Sequence, residues 1–217
     1  MKIYRKIKTF IKKIRYPNLF NFRNSNSYWE ERYLVGGNSG PGSYGRLADF
    51  KAEVVNEFII RYKIDEVIEF GCGDGNQLKL FKFNKYTGVD VSEFVIKKNE
   101  KEFKNDKSRK FLKYNLIGDL RADLTMSLDV IFHLVEDDIF ENYMFKLFKT
   151  STAYVMIYSS NDEILNEKSA PHVRHRNFTS WVENNLPEFK LIEVIQNKYP
   201  FDGASDTSFC QFYFFKK

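Results

Sequence analysis

Cysteine is scarce in this sequence. Only Cys72 and Cys210 occur among 217 residues, and neither has a second cysteine at the spacing of a zinc site. Two cysteines are too few for a disulfide framework, which excludes a small disulfide-stabilised secreted domain and a structural zinc module. We therefore expect a protein of the reducing cytoplasm that holds no metal ion.

Long apolar runs are absent too. No stretch approaches the roughly 20 apolar residues of a membrane-spanning helix, and lysines interrupt the N-terminal segment where a signal peptide would have its apolar centre. The sequence also lacks internal repeats and low-complexity segments. Because 43% of its residues are hydrophobic and 17% aromatic, it predicts one globular domain that is neither secreted by that route nor integral to a membrane.

Acidic residues are missing from the first fifteen positions, MKIYRKIKTFIKKIR, although the net charge of the whole chain is only +5. Apolar residues recur there at helical spacing, which predicts a basic amphipathic helix. Such a helix can lie on an anionic membrane at its inner face, dock on a protein partner, or pack on its own domain. Nucleic acid is the least favoured partner, because nothing downstream extends the basic surface.

Strands alternate with helices from about residue 64 to residue 160, which predicts βαβ units and a mostly parallel sheet covered on both faces. The last third differs, with a helix at FTSWVENNL followed by strands at KLIEVIQ and SFCQFYFF. The closing strands are predicted to be antiparallel. We divide the chain into an arm with a glycine-rich lid, residues 1–45, and one α/β domain, residues 46–217.

A run of three glycines follows the first predicted strand, in VIEFGCGDGNQ. Its pattern, acid-x-G-x-G-x-G from Glu69 to Gly75, differs from the G-x-G-x-x-G of dinucleotide-binding folds. Glycine at this turn lets the backbone approach a ligand more closely than a β-carbon would allow. Asp90 ends the second strand, where an acid suits the two hydroxyls of a ribose.

This combination resembles the class I S-adenosylmethionine-dependent methyltransferases over most of residues 44 to 217. The resemblance implies a Rossmann-like three-layer α/β sandwich. Its seven-stranded sheet would be mostly parallel with an antiparallel C-terminal strand, and here an N-terminal helical arm and lid would be added. It also implies S-adenosylmethionine as cofactor and S-adenosylhomocysteine as product.

The resemblance assigns cofactor contacts residue by residue. Glu69 would orient the amino-acid end, Gly71 and Gly73 would lie along the methionine and ribose parts, and Asp90 would hold the ribose. Asn115 stands where the family usually has an acid that binds adenine. Alternatively, Asn115 is only a turn residue of its loop and has no contact with the cofactor. The full set of predicted cofactor contacts is Glu69, Gly71, Gly73, Gly75, Asp90, Val91, Asn115 and Leu128.

His133 is the predicted catalytic residue. It follows the fourth strand in SLDVIFHL, close to Asp129. Methyl transfer needs a base only when the nucleophile is a neutral hydroxyl or amine, and an imidazole suits that task at neutral pH. A histidine that orders the loop or contacts the cofactor is an equal alternative.

Two further segments are predicted to bind the acceptor. The stretch APHVRHRNFTSW places two arginines and two histidines before a helix, an arrangement suited to an anion, although arginines also commonly pair with surface acids. In the lid, residues 27–45, tyrosines and a glycine-rich loop would close over the site, or simply staple the arm to the domain. The predicted acceptor-binding residues are Tyr44, Arg46, His172, Arg174, His175 and Arg176, with Tyr44 and Arg46 also suited to the cofactor carboxylate.

A finer similarity is to small bacterial methyltransferases that modify capsule or other surface polysaccharides. It implies O-methylation of a small anionic acceptor: a sugar, a nucleotide-sugar, or a phosphate or phosphoramidate group. A methyltransferase of nucleic acid or protein is the alternative. The missing N/D-P-P-Y/F tetrapeptide after the fourth strand counts against methylation of base amino groups. A non-catalytic cofactor-binding module is a third possibility, and the sequence leaves the oligomeric state open.

Overall fold

The computed structural model describes residues 14–16 and 21–217, apart from the side chains of 166–168. The predicted basic helix of residues 1–15 lies outside this part except for its last two residues. No helix in the described part is long and apolar enough to cross a bilayer.

Between residues 21 and 217 the structure has five α-helices and seven strands, and from residue 45 onward they follow the predicted order. The helices are α1 Ser25–Leu34, α2 Gly45–Tyr62, α3 Glu93–Glu102, α4 Asp137–Thr150 and α5 Phe178–Asn185. The strands are β1 Glu66–Phe70, β2 Lys85–Asp90, β3 Arg109–Lys113, β4 Ala122–Leu128, β5 Ser151–Ser159, β6 Lys190–Ile195 and β7 Gln211–Lys216. Short 3-10 turns join several of them.

The strands form one sheet in the order β3-β2-β1-β4-β5-β7-β6. Neighbours among the first five pair in parallel, and β7 is antiparallel to both β5 and β6. The predicted Rossmann-like fold, with a mostly parallel seven-stranded sheet and an antiparallel C-terminal strand, is therefore confirmed. Strand order reverses at β1, with β2 on one side and β4 on the other, and such a reversal opens a ligand crevice at the carboxyl ends of the strands.

Apolar side chains cover both faces of the sheet. On one face, Val55 and Phe58 of α2 pack against β4 and the Phe212–Phe214 pair of β7. On the other face, Leu147 and Phe148 of α4 pack with α5 and the alternate residues of β5. The central strands are accordingly buried on both faces, as in other parallel sheets that helices cover on both sides. The packed sheet thus gives rigid support to the loops at its carboxyl edge.

Candidate active site

A cavity of about 290 Å³ lies at the carboxyl ends of β1, β2 and β4, beneath α1 and the lid. It is lined by seven of the residues predicted for cofactor or catalysis. The remaining predicted residues do not line it. Those that do are Glu69, Gly71, Gly73, Asp90, Val91, Leu128 and His133.

The glycines of the β1 turn each meet a different neighbour. Gly71 and Gly73 have φ of +80° and +54°, and a β-carbon on them would collide with Val130 and Ser39 respectively. A β-carbon on Gly75 would meet the Asn99 side chain of α3 instead, at 2.5 Å. The first two glycines therefore bring backbone to the cavity wall, while the third allows α3 to pack closely.

Asp90 holds the glycine turn and the end of β2 together. Its Oδ2 accepts a hydrogen bond from Gly73 N at 3.0 Å, and its Oδ1 accepts one from Ser92 N at 2.9 Å. Each oxygen keeps a second lone pair. Burial raises the pKa of Asp90 to about 6, so the carboxylate is ionised at neutral pH and has acceptor capacity left for a ligand.

Glu69 is buried at the end of β1, next to the same turn. Tyr86 donates its hydroxyl hydrogen to Glu69 Oε2 at 2.5 Å. Burial raises the pKa of Glu69 to about 7, against the opposing effects of this hydrogen bond and of Lys51. The carboxyl group is therefore poised between its two protonation states at neutral pH.

Asp74 fastens the lid to the glycine turn. Its Oδ2 accepts hydrogen bonds from Ser39 N at 3.0 Å and from the Tyr44 hydroxyl at 2.7 Å, and Asp74 N donates to Ser39 Oγ. Burial and the Asp74 hydrogen bond raise the pKa of Tyr44 to about 12. Tyr44 thus stays a neutral donor to the glycine turn and does not reach the cavity.

A second latch holds the start of α1. Glu136, just before α4, accepts hydrogen bonds from Ser25 N at 3.0 Å and from Ser25 Oγ at 2.6 Å. Ser25 Oγ accepts in turn from Val135 N. Together with the Asp74 latch, this fixes α1 and the lid over the cavity at both ends.

Arg46 points away from the cavity. Its Nε lies 3.0 Å from Asp206 Oδ2, and its guanidinium carbon is 4.5 Å from the ring centre of Tyr199. Both partners belong to the connection between β6 and β7. The predicted contact of Arg46 with cofactor or acceptor gains no support from this position and stays a prediction.

The arginines of the predicted anion site are engaged elsewhere. Arg174 and Arg176 lie 2.9 Å and 2.8 Å from Asp137 Oδ1, and Arg176 also donates to the carbonyls of Leu134 and Val135. These contacts brace the segment between β4 and α4. The sequence allowed these arginines either to bind an anionic ligand or to pair with surface acids, and the observed contacts match the second interpretation.

The two histidines of that segment are structural neighbours of the site. His175 is buried against the rings of Phe132 and Phe209, with Nδ1 at 2.5 Å from Ser160 Oγ. The ring of His172 stacks on Tyr28. Neither lines the cavity, although the backbone carbonyl of His172 contacts His133.

His133 faces the cavity with a defined tautomer. Its Nδ1 lies 3.0 Å from the carbonyl oxygen of His172, and because a carbonyl can only accept, Nδ1 carries the hydrogen. Burial lowers the pKa of His133 to about 4. The imidazole is therefore neutral at physiological pH, with Nε2 as its basic nitrogen, and the ring of Trp29 packs edge-on against it.

At the far end of the cavity Tyr114 lines the wall and its neighbour Asn115 is exposed. Tyr114 stacks parallel to Tyr143, which donates to the carbonyl of Phe70. Burial raises the pKa of Tyr114 to about 12. Tyr114 and Tyr143 thus line the part of the cavity for which the sequence predicted Asn115. The contact of Asn115 with adenine stays a prediction.

Sequence reasoning missed Lys51 and left Asp129 without a role. Lys51 is only 1% exposed, and its Nζ lies 2.5 Å from Asp129 Oδ2. A signal was present, because position 51 falls within the buried stripe of α2, between Leu47 and Val54. A lysine on such a stripe must be paired, since an isolated buried charge is very costly.

In the described part of the chain, no group of three or more His, Cys, Asp or Glu side chains is arranged to hold a metal ion. The two cysteines are both buried and unbonded to each other. The ionisable groups that line the cavity are four carboxyl groups, one ammonium, one imidazole and one thiol, together with tyrosines.

No protein-family model matches this sequence, and no curated protein matches it either. Solved structures do match it in fold. The N-methyltransferase NodS from Bradyrhizobium japonicum WM9, in complex with S-adenosylhomocysteine, superposes with a TM-score of 0.69 at 15% identity, covering 89% of this chain and 98% of NodS. Magnesium protoporphyrin IX methyltransferase from Synechocystis PCC 6803, with the same ligand, gives 0.63 at 13% identity, covering 95% and 99%.

The methyltransferase domain of bacterial CtHen1 gives a TM-score of 0.58 at 20% identity and covers 76% of this chain and 96% of that domain. These neighbours act on different acceptors by their names, so the shared feature is the fold. Structures of this fold hold S-adenosylmethionine or S-adenosylhomocysteine, which supports the cofactor predicted from the sequence.

Proposed function

We propose that this protein is an S-adenosylmethionine-dependent methyltransferase. The observation that carries the proposal is the order of groups along one sheet edge: Tyr114 after β3, Asp90 on β2, Gly71 after β1 and Asp129 after β4. Strands lie about 4.8 Å apart, so this row spans about 14 Å. That length suits an extended molecule with a base, a ribose and an amino-acid end.

The residues present suit each part of that cofactor. Asp90 accepts hydrogen bonds from the ribose hydroxyls, the Gly71 and Gly73 backbone lies along the chain that follows, and Val91 and Leu128 form apolar walls. Tyr114 offers an aromatic surface for the base. Bound there, the cofactor supplies an electrophilic methyl group on a sulfonium.

The chain's own contribution to transfer is alignment and exclusion of water. In-line displacement requires the acceptor atom to be held close to the methyl group, which a closed cavity achieves at little further entropic cost. The latches at Asp74 and Glu136 hold α1 and the lid down over the site. An acceptor must therefore enter as a small molecule or as a group that fits beneath them.

His133 fits O-methylation of a hydroxyl. A hydroxyl oxygen that receives a methyl group becomes strongly acidic, so even an imidazole whose pKa is about 4 accepts its proton at Nε2. The Nδ1 hydrogen bond to the His172 carbonyl fixes the ring for that task. If the acceptor oxygen is already anionic, His133 orients it without taking a proton.

The proposed acceptor is a small polar anion: a sugar, a nucleotide-sugar, or a phosphate or phosphoramidate group of surface-polysaccharide synthesis. This narrower proposal rests on the sequence resemblance. The arginine segment adds no support, since Arg174 and Arg176 are paired with Asp137. The cover that α1 and the lid give to the cavity favours a small acceptor over a folded macromolecule.

Methyl transfer itself tests the proposal. Purified protein with methyl-labelled S-adenosylmethionine is offered nucleotide-sugars, sugar phosphates, an RNA oligonucleotide and a protein extract. We expect label on a small acceptor, and in His133→Ala a turnover lower by about 10²-fold or more with unchanged affinity for S-adenosylhomocysteine. His172→Ala keeps the carbonyl that His133 uses but removes a ring that stacks on His133, so its loss of turnover should be smaller than that of His133→Ala.

Other outcomes separate the alternatives. Label on RNA or protein alone would contradict the small acceptor, and cofactor binding without transfer to anything offered would favour a non-catalytic module. Full turnover in His133→Ala would remove the proton-transfer role and leave the methyltransferase proposal intact.

A further inference from the structure

The cofactor proposed above has a carboxylate at its amino-acid end, and that carboxylate needs a cationic partner once it is enclosed. Tyr44 and Arg46, which the sequence suggested for it, are held by Asp74 and Asp206. Among the described residues that line the cavity, Lys51 is the one lysine or arginine. The Lys51 ammonium is therefore the positive charge that can pair with the cofactor carboxylate in this cavity.

The position of Lys51 along the sheet agrees with this assignment. Asp90 ends β2 and Asp129 follows β4, on opposite sides of β1 in the strand order. A cofactor whose ribose lies on Asp90 and whose chain crosses Gly71 ends beside Lys51 and Asp129. The field of Lys51 also reaches Glu69 at the end of β1, the acid predicted to orient the same end of the cofactor.

The ion pair is built to hold Lys51 in place. Asp129 adopts a φ of +59°, a rare conformation for a residue other than glycine, and its Oδ2 contacts Nζ. The Tyr158 ring lies 5.2 Å from the same ammonium. An ammonium has three donors, so it can keep Asp129 and still bind a second carboxylate.

We propose that Lys51 binds the carboxylate of the cofactor's amino-acid end and that Asp129 positions its ammonium for this contact. The inference rests on the proposed function and adds to it a specificity residue for the cofactor. The alternative is that the Lys51–Asp129 ion pair has a purely structural role. Removing Lys51 would then change the affinities of all ligands of the cavity to the same extent.

Ligands with and without the carboxylate distinguish these readings. S-adenosylhomocysteine carries it, decarboxylated S-adenosylhomocysteine lacks only that group, and 5′-methylthioadenosine lacks the whole amino-acid end. Calorimetric titrations of the wild-type chain should show tighter binding of S-adenosylhomocysteine than of either analogue. In Lys51→Met its affinity should fall about tenfold or more, while the affinities of both analogues change less than about twofold.

A second variant keeps the test valid if Lys51→Met unfolds because Asp129 loses its partner. Lys51→Met/Asp129→Asn removes both charges, and we expect the same selective loss for the carboxylate ligand. Thermal unfolding of each variant reports whether the fold survives. If neither variant folds, the wild-type comparison of S-adenosylhomocysteine with its decarboxylated analogue still decides whether the carboxylate is bound.

The contrary results are specific. Equal wild-type affinity for S-adenosylhomocysteine and its decarboxylated analogue would overturn the inference while leaving the proposed function standing. An equal loss for all three ligands in the folded variants would do the same and would assign the pair a structural role. No wild-type binding of any of the three would overturn the proposed function and this inference with it.

Discussion

Two sets of cation–carboxylate pairs use acids that follow β4, Asp129 and Asp137, and the two sets differ in burial and in position relative to the cavity. Arg174 and Arg176 stand close together in the sequence and share Asp137, whose side chain is 67% exposed. Lys51 is isolated in the sequence, pairs with Asp129 and is 1% exposed. The dense cluster braces a loop, and the single lysine lines the cavity. The density of charge in a sequence therefore says little about where the charge lies in the fold.

The sharpest test of this contrast compares cofactor affinity in Lys51→Met and Arg176→Met. We expect S-adenosylhomocysteine to bind Lys51→Met about tenfold or more weakly, because a charged hydrogen bond is lost. Arg176→Met should bind it within about twofold of wild type, because the Arg176 side chain does not line the cavity and touches it only through the backbone carbonyl of Leu134. Isothermal titration measures both, and a larger loss in Arg176→Met would reverse the contrast.

The pH dependence of binding extends the comparison to the ribose side of the cavity. The pKa of Asp90 is raised to about 6 by burial, and ribose hydroxyls donate to the ionised form. Affinity for S-adenosylhomocysteine should therefore fall about tenfold between pH 7 and pH 5. Asp90→Asn should bind weakly and lose this dependence, and an unchanged pH profile in that variant would assign the titration to another group, with Glu69 the first candidate.

The stability of the unliganded protein should depend on pH in the opposite direction to cofactor affinity. Because the folded pKa of Asp90 is raised, its contribution to stability is fully present below its ordinary value near 3.8 and is lost as pH rises through about 6. Glu69 behaves alike, with its loss continuing to about pH 7. The carboxyl groups that favour cofactor at neutral pH thus weaken the empty protein there.

Thermal unfolding tests the other half of the contrast, the bracing role of the arginines. Arg176 has only 11% of its side chain exposed and donates to two carbonyls as well as to Asp137, so Arg176→Met should lose about 1 to 2 kcal/mol of unfolding free energy. Arg174 is more exposed, and Arg174→Met should lose less than about 1 kcal/mol. Arg174 also donates to the Val135 carbonyl, so equal losses would mean that the deeper burial of Arg176 and its contact with the Leu134 carbonyl add no measurable stability.

The smallest effect is expected at Gly42, where the lid meets Asp129. A β-carbon on Gly42 would lie 2.6 Å from Asp129 Oδ2, so Gly42→Ala should lift the lid slightly and weaken S-adenosylhomocysteine binding by about threefold, or less than 1 kcal/mol. Faster hydrogen exchange across residues 36–44 would accompany it. Pro41→Ala is a neighbouring control, and an equal loss there would point to the loop backbone instead of the contact with Asp129.

The fold could be predicted because its signals are local. Alternating strands and helices, and the turn that follows Glu69, each depend on short stretches of chain, and the sheet follows from them. The row from Gly71 to Asp90 was predictable for the same reason. The structure brings both residues to the cavity wall, as the pattern indicates.

The acceptor side could not be predicted, because it is made by contacts between distant segments. Whether Arg174 faces a ligand or Asp137 depends on how residues 172–176 cross the start of α4. Tyr44 likewise turns to Asp74 only because the lid docks on the glycine turn. Lys51, which we propose for the cofactor, was missed although a lysine on a buried helical stripe already signals a partner within reach.

We propose that Asp90 and the β1 turn hold S-adenosylmethionine. Isothermal titration of S-adenosylhomocysteine into the wild-type chain and into Asp90→Ala tests it most directly. We expect a micromolar dissociation constant for the wild type and, in the variant, an affinity about tenfold or more lower, because each hydrogen bond to the carboxylate contributes about 1.5 to 3 kcal/mol. Absence of binding to the folded wild-type protein, or equal binding by Asp90→Ala, would contradict the account.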